Sequence, residues 1–239
     1  MCEILAAAWP EPRPFALLLP YVRKMERLGV AGFGWGVAWL SGGFVEAYRC
    51  AGAVAGDRRG RLELASVVST RFLVHLRRPS RLSTTQLADT QPFLQGEGRF
   101  AFCHNGSFHR HERYRPGFAG RLHGSADSEI AFRLFEELLP HSPDVPAALH
   151  EVVDRLGGSA NLGYLGADGR LLVRFGHRAN LVWRFGIDDG DMAATELHSR
   201  DDSLFDLVFQ EATERIHVVD VAELDPGRAA VAAPARIER

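Results

Sequence analysis

Apolar positions along the chain predict strands at both ends and helices between them. Residues 2–5 (Cys2, Glu3, Ile4, Leu5) are short and strand-like. From 15 to 28, Phe15, Leu18, Leu19, Val22 and Met25 recur at helical spacing. Pro20 falls inside that run, so the helix is expected as two short pieces. Residues 32–40, 43–50 and 67–75, rich in Val, Phe and Trp, read as strands. From 77 to 99 there is little period, and Pro79, Pro92, Gly96 and Gly98 punctuate it. A loop this long inside a compact domain is usually functional or disordered. Residues 100–104 form a short apolar strand ending in a polar Asn105-Gly106 turn.

Ser125 is placed to cap a helix whose apolar face is Ile130, Ala131, Leu134, Phe135 and Leu138. A second helix is expected over 144–156, ending at Gly157-Gly158. Strands follow at 160–166, 171–176, 181–185, 192–198 and 216–221, with a hairpin turn at Ala167-Asp168-Gly169-Arg170. Strands, two helices, then strands is not the alternation of a doubly wound sheet. It predicts an α+β fold with antiparallel sheets covered by helices. One domain over residues 2–226 is expected, with an Ala/Arg/Pro-rich, loosely ordered tail at 227–239.

Composition narrows the function classes. The chain has 239 residues, is 46% hydrophobic and 24% charged, and carries a formal net charge of -2. That fits one globular domain and lacks the basic footprint a nucleic-acid partner requires. No run reaches the roughly 18 apolar residues of a membrane span, and no signal peptide opens the sequence. Three widely spaced cysteines (Cys2, Cys50 and Cys103) match no zinc spacing and leave one thiol unpaired in any disulfide scheme. A reduced, cytoplasmic protein without a cofactor is expected. Lys24 is the only lysine.

Four local features carry candidate chemistry. Cys2 follows Met1 directly, and removal of Met1 leaves a free α-amine, which can act as base for its own thiol. By position alone Cys2 reads first as a buried thiol on an edge strand. Asn105-Gly106 is an ordinary turn or an oxyanion site, the Asn amide and the following N–H serving one developing charge. Arg77, at the end of His75-Leu76-Arg77, is a surface cation or a fork for a carboxylate. Asp127, in Ser125-Ala126-Asp127-Ser128-Glu129, favours a helix dipole or binds an ammonium group.

Together these residues resemble the class II glutamine amidotransferase family of N-terminal-nucleophile hydrolases. The family pattern is an N-terminal Cys, His-x-Arg, Asn/Asp-Thr-x-Pro-Phe, His-Asn-Gly and Asp-Ser/Thr-Glu. Here it reads Cys2, His75-Leu76-Arg77, Asp89-Thr90-Gln91-Pro92-Phe93, His104-Asn105-Gly106 and Asp127-Ser128-Glu129, in that order. Gly34-Trp35-Gly36 and Asn161-Leu162 also look like family strand segments, so the resemblance spans about residues 2–200. It implies a four-layer αββα sandwich and hydrolysis of glutamine to glutamate and ammonia. Cys2 would be the nucleophile and its amine the base. Asn105 and Gly106 would form the oxyanion hole, Arg77 would hold the substrate carboxylate and Asp127 its ammonium. Departures fall at Phe33, where the family often has Asp, at Arg78-Pro79-Ser80-Arg81, and at Asp89, where Asn is frequent. They bear on which γ-glutamyl compound is taken.

Within that reading the chain supplies ammonia to a separate synthase subunit, there being no room for an acceptor domain, or it hydrolyses a γ-glutamyl small molecule. The rival from another class is a non-catalytic binding or assembly subunit that keeps the fold. His109 and His111 lack a partner set for a metal and read as loop residues. Asp188-Asp189-Gly190-Asp191 lacks the downstream Glu of a calcium loop and reads as a hairpin turn.

Overall fold

The computed structural model describes residues 2–198 and 203–228. The expected tail therefore lies, from residue 229 onward, outside the described residues. The first strand, β1 (Glu3–Pro14), is much longer than residues 2–5. Its Ala6-Ala7-Ala8 run is buried on both faces. Leu5, Ala7 and Trp9 enter one core, and Ile4, Ala6 and Ala8 another. Period-two alternation of apolar and polar residues is absent because neither face meets water.

A 3₁₀ turn (Phe15–Leu17) leads into α1 (Leu19–Leu28), giving the expected two pieces. Pro20 sits in the first turn of α1, where its missing N–H costs nothing. Strands β2 (Trp35–Ser41) and β3 (Phe44–Cys50) form a hairpin. Helix α2 (Arg58–Ala65) follows, with Asp57 capping the N–H of Gly60 at 3.0 Å. Strand β4 (Val68–Leu76) ends at Arg77. The long loop expected after it contains two 3₁₀ turns (Leu82–Thr84 and Leu87–Asp89) and the short β5 (Phe93–Leu94).

Asn105-Gly106 is not a turn. Strand β6 (Phe100–Phe108) runs straight through it, Asn105 pairing with Asn161 and Gly106 with Ala160. After α3 (His111–Tyr114) comes α4 (Asp127–Leu138), and Ser125 does not cap it. Ala126 occupies the cap position, and the carboxylate of Asp89 accepts from the N–H groups of Ser125 and Ala126 at 2.8 and 2.7 Å. Helix α5 (Val145–Leu156) is capped by Asp144 and ends at Gly157. Then come β7 (Gly158–Gly166), β8 (Leu171–Arg174), β9 (Val182–Ile187), β10 (Gly190–Thr195), α6 (Ser203–Val208), β11 (Ile216–His217) and β12 (Val221–Glu223).

The strands form two antiparallel sheets, in orders β11-β9-β10-β1-β4-β2-β3 and β12-β8-β7-β6-β5. Three apolar cores separate four layers. Met25, Trp35, Phe72 and Phe205 lie between the larger sheet and its helices, and Phe102, Phe132, Phe135 and Leu149 between the smaller sheet and α4 and α5. Burying each such side chain contributes roughly 1.5–3 kcal/mol. The third core, between the sheets, has no aromatic ring among its buried residues and mixes small groups such as Ala6, Ala38 and Cys103 with aliphatic ones such as Ile4, Leu73 and Leu165. The sheets come close enough that a Cβ on Gly163 of β7 would lie 2.8 Å from Leu73 Cδ1 on β4 of the facing sheet. This is the αββα sandwich. Among the described residues no helix is long and apolar enough to cross a membrane.

Candidate active site

Strand pairing brings the site together at one end of the sandwich. Glu3 on β1 pairs with Leu76 on β4, so Cys2 and Arg77 emerge side by side. The Arg77 N–H donates to the Gly34 carbonyl at 2.8 Å and its carbonyl accepts from Phe33 N–H at 3.1 Å, extending the ladder past Leu76. On the facing sheet β6 contributes Asn105 and Gly106, and the start of α4 contributes Asp127. Cys2, Arg77, Gly106 and Asp127 line one cavity of about 520 Å³, with Thr84 and Ser128 also on its wall. Asn105 is fully buried behind Cys2, whose backbone N–H donates to Asn105 Oδ1 at 2.9 Å.

The Cys2 thiol donates to the Arg78 carbonyl at 3.6 Å. Burial pushes the thiol above its ordinary pKa, against the opposing pull of the Arg77 charge. The thiol is therefore neutral near pH 7 and requires a base before it can attack. Arg77 is buried. Its Nη2 donates to Thr84 Oγ1 at 2.8 Å, while Nη1, equally buried, has no hydrogen-bond partner among the described residues. Burial pulls the guanidinium below its usual value, and the charges of Cys2, Asp89 and Asp127 pull it back up. A buried cation with an unused N–H pair is the chemistry of an anion receptor.

Asp127 accepts from Phe108 N–H through Oδ2 at 2.9 Å, which leaves Oδ1 for another donor. Gly106 has φ 145°, and a Cβ there would lie 2.0 Å from the Ser159 carbonyl oxygen, so a larger residue cannot occupy this wall.

Several residues that hold the site were given no structural role from sequence. Gln91 grips the backbone of His104, accepting its N–H at 2.7 Å and donating to its carbonyl at 3.3 Å. Asp89 is fully buried, lies outside the cavity wall and fixes the entry to α4, with a third bond from Gln86 Nε2 at 2.8 Å. The Asp89-to-Phe93 motif is thus a brace between β6 and α4. Asn161 and Asn180 form a buried amide cluster with Asn105, whose Nδ2 donates to Asn180 Oδ1 at 2.6 Å. Motif position pointed toward Asp89, Gln91 and Asn161, but nothing near Asn180 in sequence marks it.

Two of the nearby imidazoles sit on β4 and β6. His104 stacks on Phe108 with ring centroids 4.4 Å apart, and its Nδ1 is 2.9 Å from Ser128 Oγ. Burial lowers the pKa of His104 to about 4 and, with the neighbouring Arg77 charge, that of His75 to about 3. Both rings are neutral near pH 7. Among the described residues no three His, Cys, Asp or Glu side chains converge as metal ligands. His111 bonds the Phe108 carbonyl at 2.7 Å instead.

A family model described as glutamine amidotransferases class-II matches residues 1–188. The chain belongs to the class-II glutamine amidotransferases. Similar solved structures share its fold. The glutamine phosphoribosylpyrophosphate amidotransferase of B. subtilis, complexed with ADP and GMP, is 14% identical, with 93% of this chain and 48% of that one covered at a TM-score of 0.68. A structure described as the allosteric regulatory enzyme of purine biosynthesis is 16% identical, with 90% and 45% covered at 0.68. This chain therefore spans about half the length of those two proteins. A glutamine aminotransferase class-II domain protein from Silicibacter pomeroyi is 20% identical, with 93% and 98% covered at 0.57. No curated protein sequence matches significantly.

Proposed function

We propose that this class-II amidotransferase hydrolyses a γ-glutamyl amide, with Cys2 as nucleophile once Met1 is removed. The observation that carries the reading is the convergence of Cys2, Arg77, Gly106 and Asp127, from four distant segments, on one cavity, with Asn105 against the Cys2 nitrogen. Arg77, with its unpartnered Nη1, suits the α-carboxylate of a glutamyl group, and Asp127 its α-ammonium. The Cys2 amine takes the thiol proton, and sulfur adds to the γ-carbonyl carbon. The resulting oxyanion is received by Asn105 Nδ2–H and Gly106 N–H. Collapse expels the amine, which carries away the proton held by the Cys2 ammonium, and leaves a γ-glutamyl thioester. Water, deprotonated by the same amine, adds to the thioester; glutamate departs and the thiol is restored.

At about 520 Å³ the cavity lies within the ~300–1,000 Å³ range of small-molecule sites. It continues past the glutamyl handles to Arg81, Glu112 and Arg115, which leaves room for a leaving group larger than ammonia. Glutamine, yielding ammonia for a separate synthase subunit, and a γ-glutamyl small molecule are the two substrate classes that fit. The test is glutamate release from both by wild type and Cys2→Ala, with circular dichroism as control and intact mass reporting Met1. A glutamyl chloroketone should label Cys2 and spare Cys50 and Cys103. Wild-type turnover by a folded Cys2→Ala protein, or a label on Cys103, refutes the assignment.

A further inference from the structure

Asn180 lies in the segment between β8 and β9, 1% exposed, and the structure fixes which way its amide faces. Its Nδ2 donates to the Glu196 carbonyl, its backbone carbonyl accepts from Asn161 Nδ2 at 2.7 Å, and its Oδ1 accepts from the same Nδ2 at 3.4 Å. Asn161 Oδ1 in turn accepts from the N–H groups of Gly176 and His177, both at 3.0 Å, which pins the segment carrying Asn180. Asn180 Oδ1 is thereby turned toward Asn105 at 2.6 Å. An amide oxygen only accepts, so Asn105 must present its NH₂ there. The other end of the Asn105 amide, Oδ1, is then committed to the Cys2 nitrogen at 2.9 Å. Reversing Asn105 would set oxygen against oxygen on one side and N–H against N–H on the other, both buried.

We infer that Asn180 is a positioning residue for amide hydrolysis, holding Asn105 with its oxygen toward the Cys2 amine and its NH₂ on the oxyanion side. This rests on the proposed role of Cys2. An acceptor facing the amine stabilises the ammonium formed when the thiol gives up its proton, and it orients the lone pair that receives it. Without Asn180 the Asn105 amide is free to turn, and the ammonium loses that acceptor.

The test is the pH dependence of kcat/KM for wild type, Asn180→Leu and Asn180→Asp. Asn180→Leu keeps the volume and removes the acceptor. Its kcat should fall about tenfold, the scale of one hydrogen bond, with KM little changed. Its acid limb, which reports the amine, should move down by about half a unit to one unit. Asn180→Asp keeps the acceptor toward Asn105 and adds negative charge, so its limb should stay or rise. A residue that merely supports the fold predicts no such opposition of sign. The other charged or titratable groups around Cys2 are the same in all three proteins: Glu3 on β1, His75 with Arg77 and Arg78 at the end of β4, Cys103 and His104 on β6, and His177 and His198.

A folded Asn180→Leu protein with an unmoved limb, or with only KM changed, overturns the inference. Should Asn180→Leu fail to fold, Asn180→Asp decides alone, and a limb below wild type overturns it. Cys2→Ala run in parallel separates the two readings. Activity surviving there removes the nucleophile assignment itself, whereas an inactive Cys2→Ala beside an unchanged Asn180→Leu removes only the role of Asn180.

Discussion

Replacing Arg77 with lysine is the sharpest probe of how the site reads its substrate. The guanidinium divides its work. Nη2 is spent on Thr84 Oγ1 at 2.8 Å, and Nη1 is buried with no hydrogen-bond partner among the described residues. A lysine ammonium is a compact point charge and cannot present a planar pair of donors to a carboxylate. It either keeps the Thr84 contact or reaches the substrate at reduced quality. The loss is one charge-assisted hydrogen bond, about 1.5–3 kcal/mol. Because the α-carboxylate is bound equally in ground and transition states, the loss falls on KM, as an increase of about 10- to 150-fold, with kcat nearly unchanged. Steady-state kinetics with a single γ-glutamyl substrate reads it directly, and a thermal melt checks the fold. A KM within about twofold of wild type, or a fall in kcat alone, refutes the assignment of Arg77 to the carboxylate.

Asn105→Ala should behave oppositely, lowering kcat by on the order of 100- to 1,000-fold with little change in KM, since the oxyanion exists only near the transition state; a change in KM alone refutes it. Glu3 is fully buried, its Oε2 has no hydrogen-bond partner among the described residues, and burial raises its pKa from 4.5 to about 8. A raised folded pKa means stability present below about pH 4.5 and lost as pH rises through about 8, so Glu3→Gln should gain roughly 3–5 kcal/mol over wild type at pH 9. Urea midpoints that coincide at pH 9 refute this.

Much of the fold was legible because its signals are local. The β2–β3 hairpin, β4 and α5, and the breaks around them, follow from Val, Phe and Trp runs and from Asp144 and Gly157. Burial on both faces hid the length of β1, since Ala6-Ala7-Ala8 offers neither alternation nor strong β propensity. Helix α2 escaped notice because only Gly60 and Leu64 of it are buried. Asn105-Gly106 looks like a turn from its neighbours. Only the pairing with β7, more than 50 residues later, keeps it extended. The site shows the same division. Arg77, Asn105, Gly106 and Asp127 sit in ordered motifs, but the Asp89 carboxylate that replaces Ser125 as the brace of α4 acts over 36 and 37 residues. Asn180 reaches Asn105 across 75. Contacts at that range leave no periodicity to read.

The reading of Cys2 turns on what takes its proton. An imidazole would have to reach the sulfur and be basic near pH 7. His104 commits Nδ1 to Ser128, and His75 commits Nε2 to the His104 carbonyl at 3.2 Å. Burial makes both rings poor bases, and it likewise lowers His198, the imidazole beside the Cys2 backbone, to about 4. Among the described residues neither ring is hydrogen-bonded to the thiol, whose acceptor is the Arg78 carbonyl, a group that cannot take up a proton. The base we propose is the nitrogen of Cys2 itself, held by Asn105. That nitrogen is basic only as a free amine. With Met1 attached it is an amide, so on the proposed reading a chain that retains Met1 keeps Arg77, Asp127, Asn105 and Gly106 in place and still lacks its base. Turnover should therefore track the fraction of chains whose intact mass shows Met1 removed, in proportion, whatever the substrate concentration.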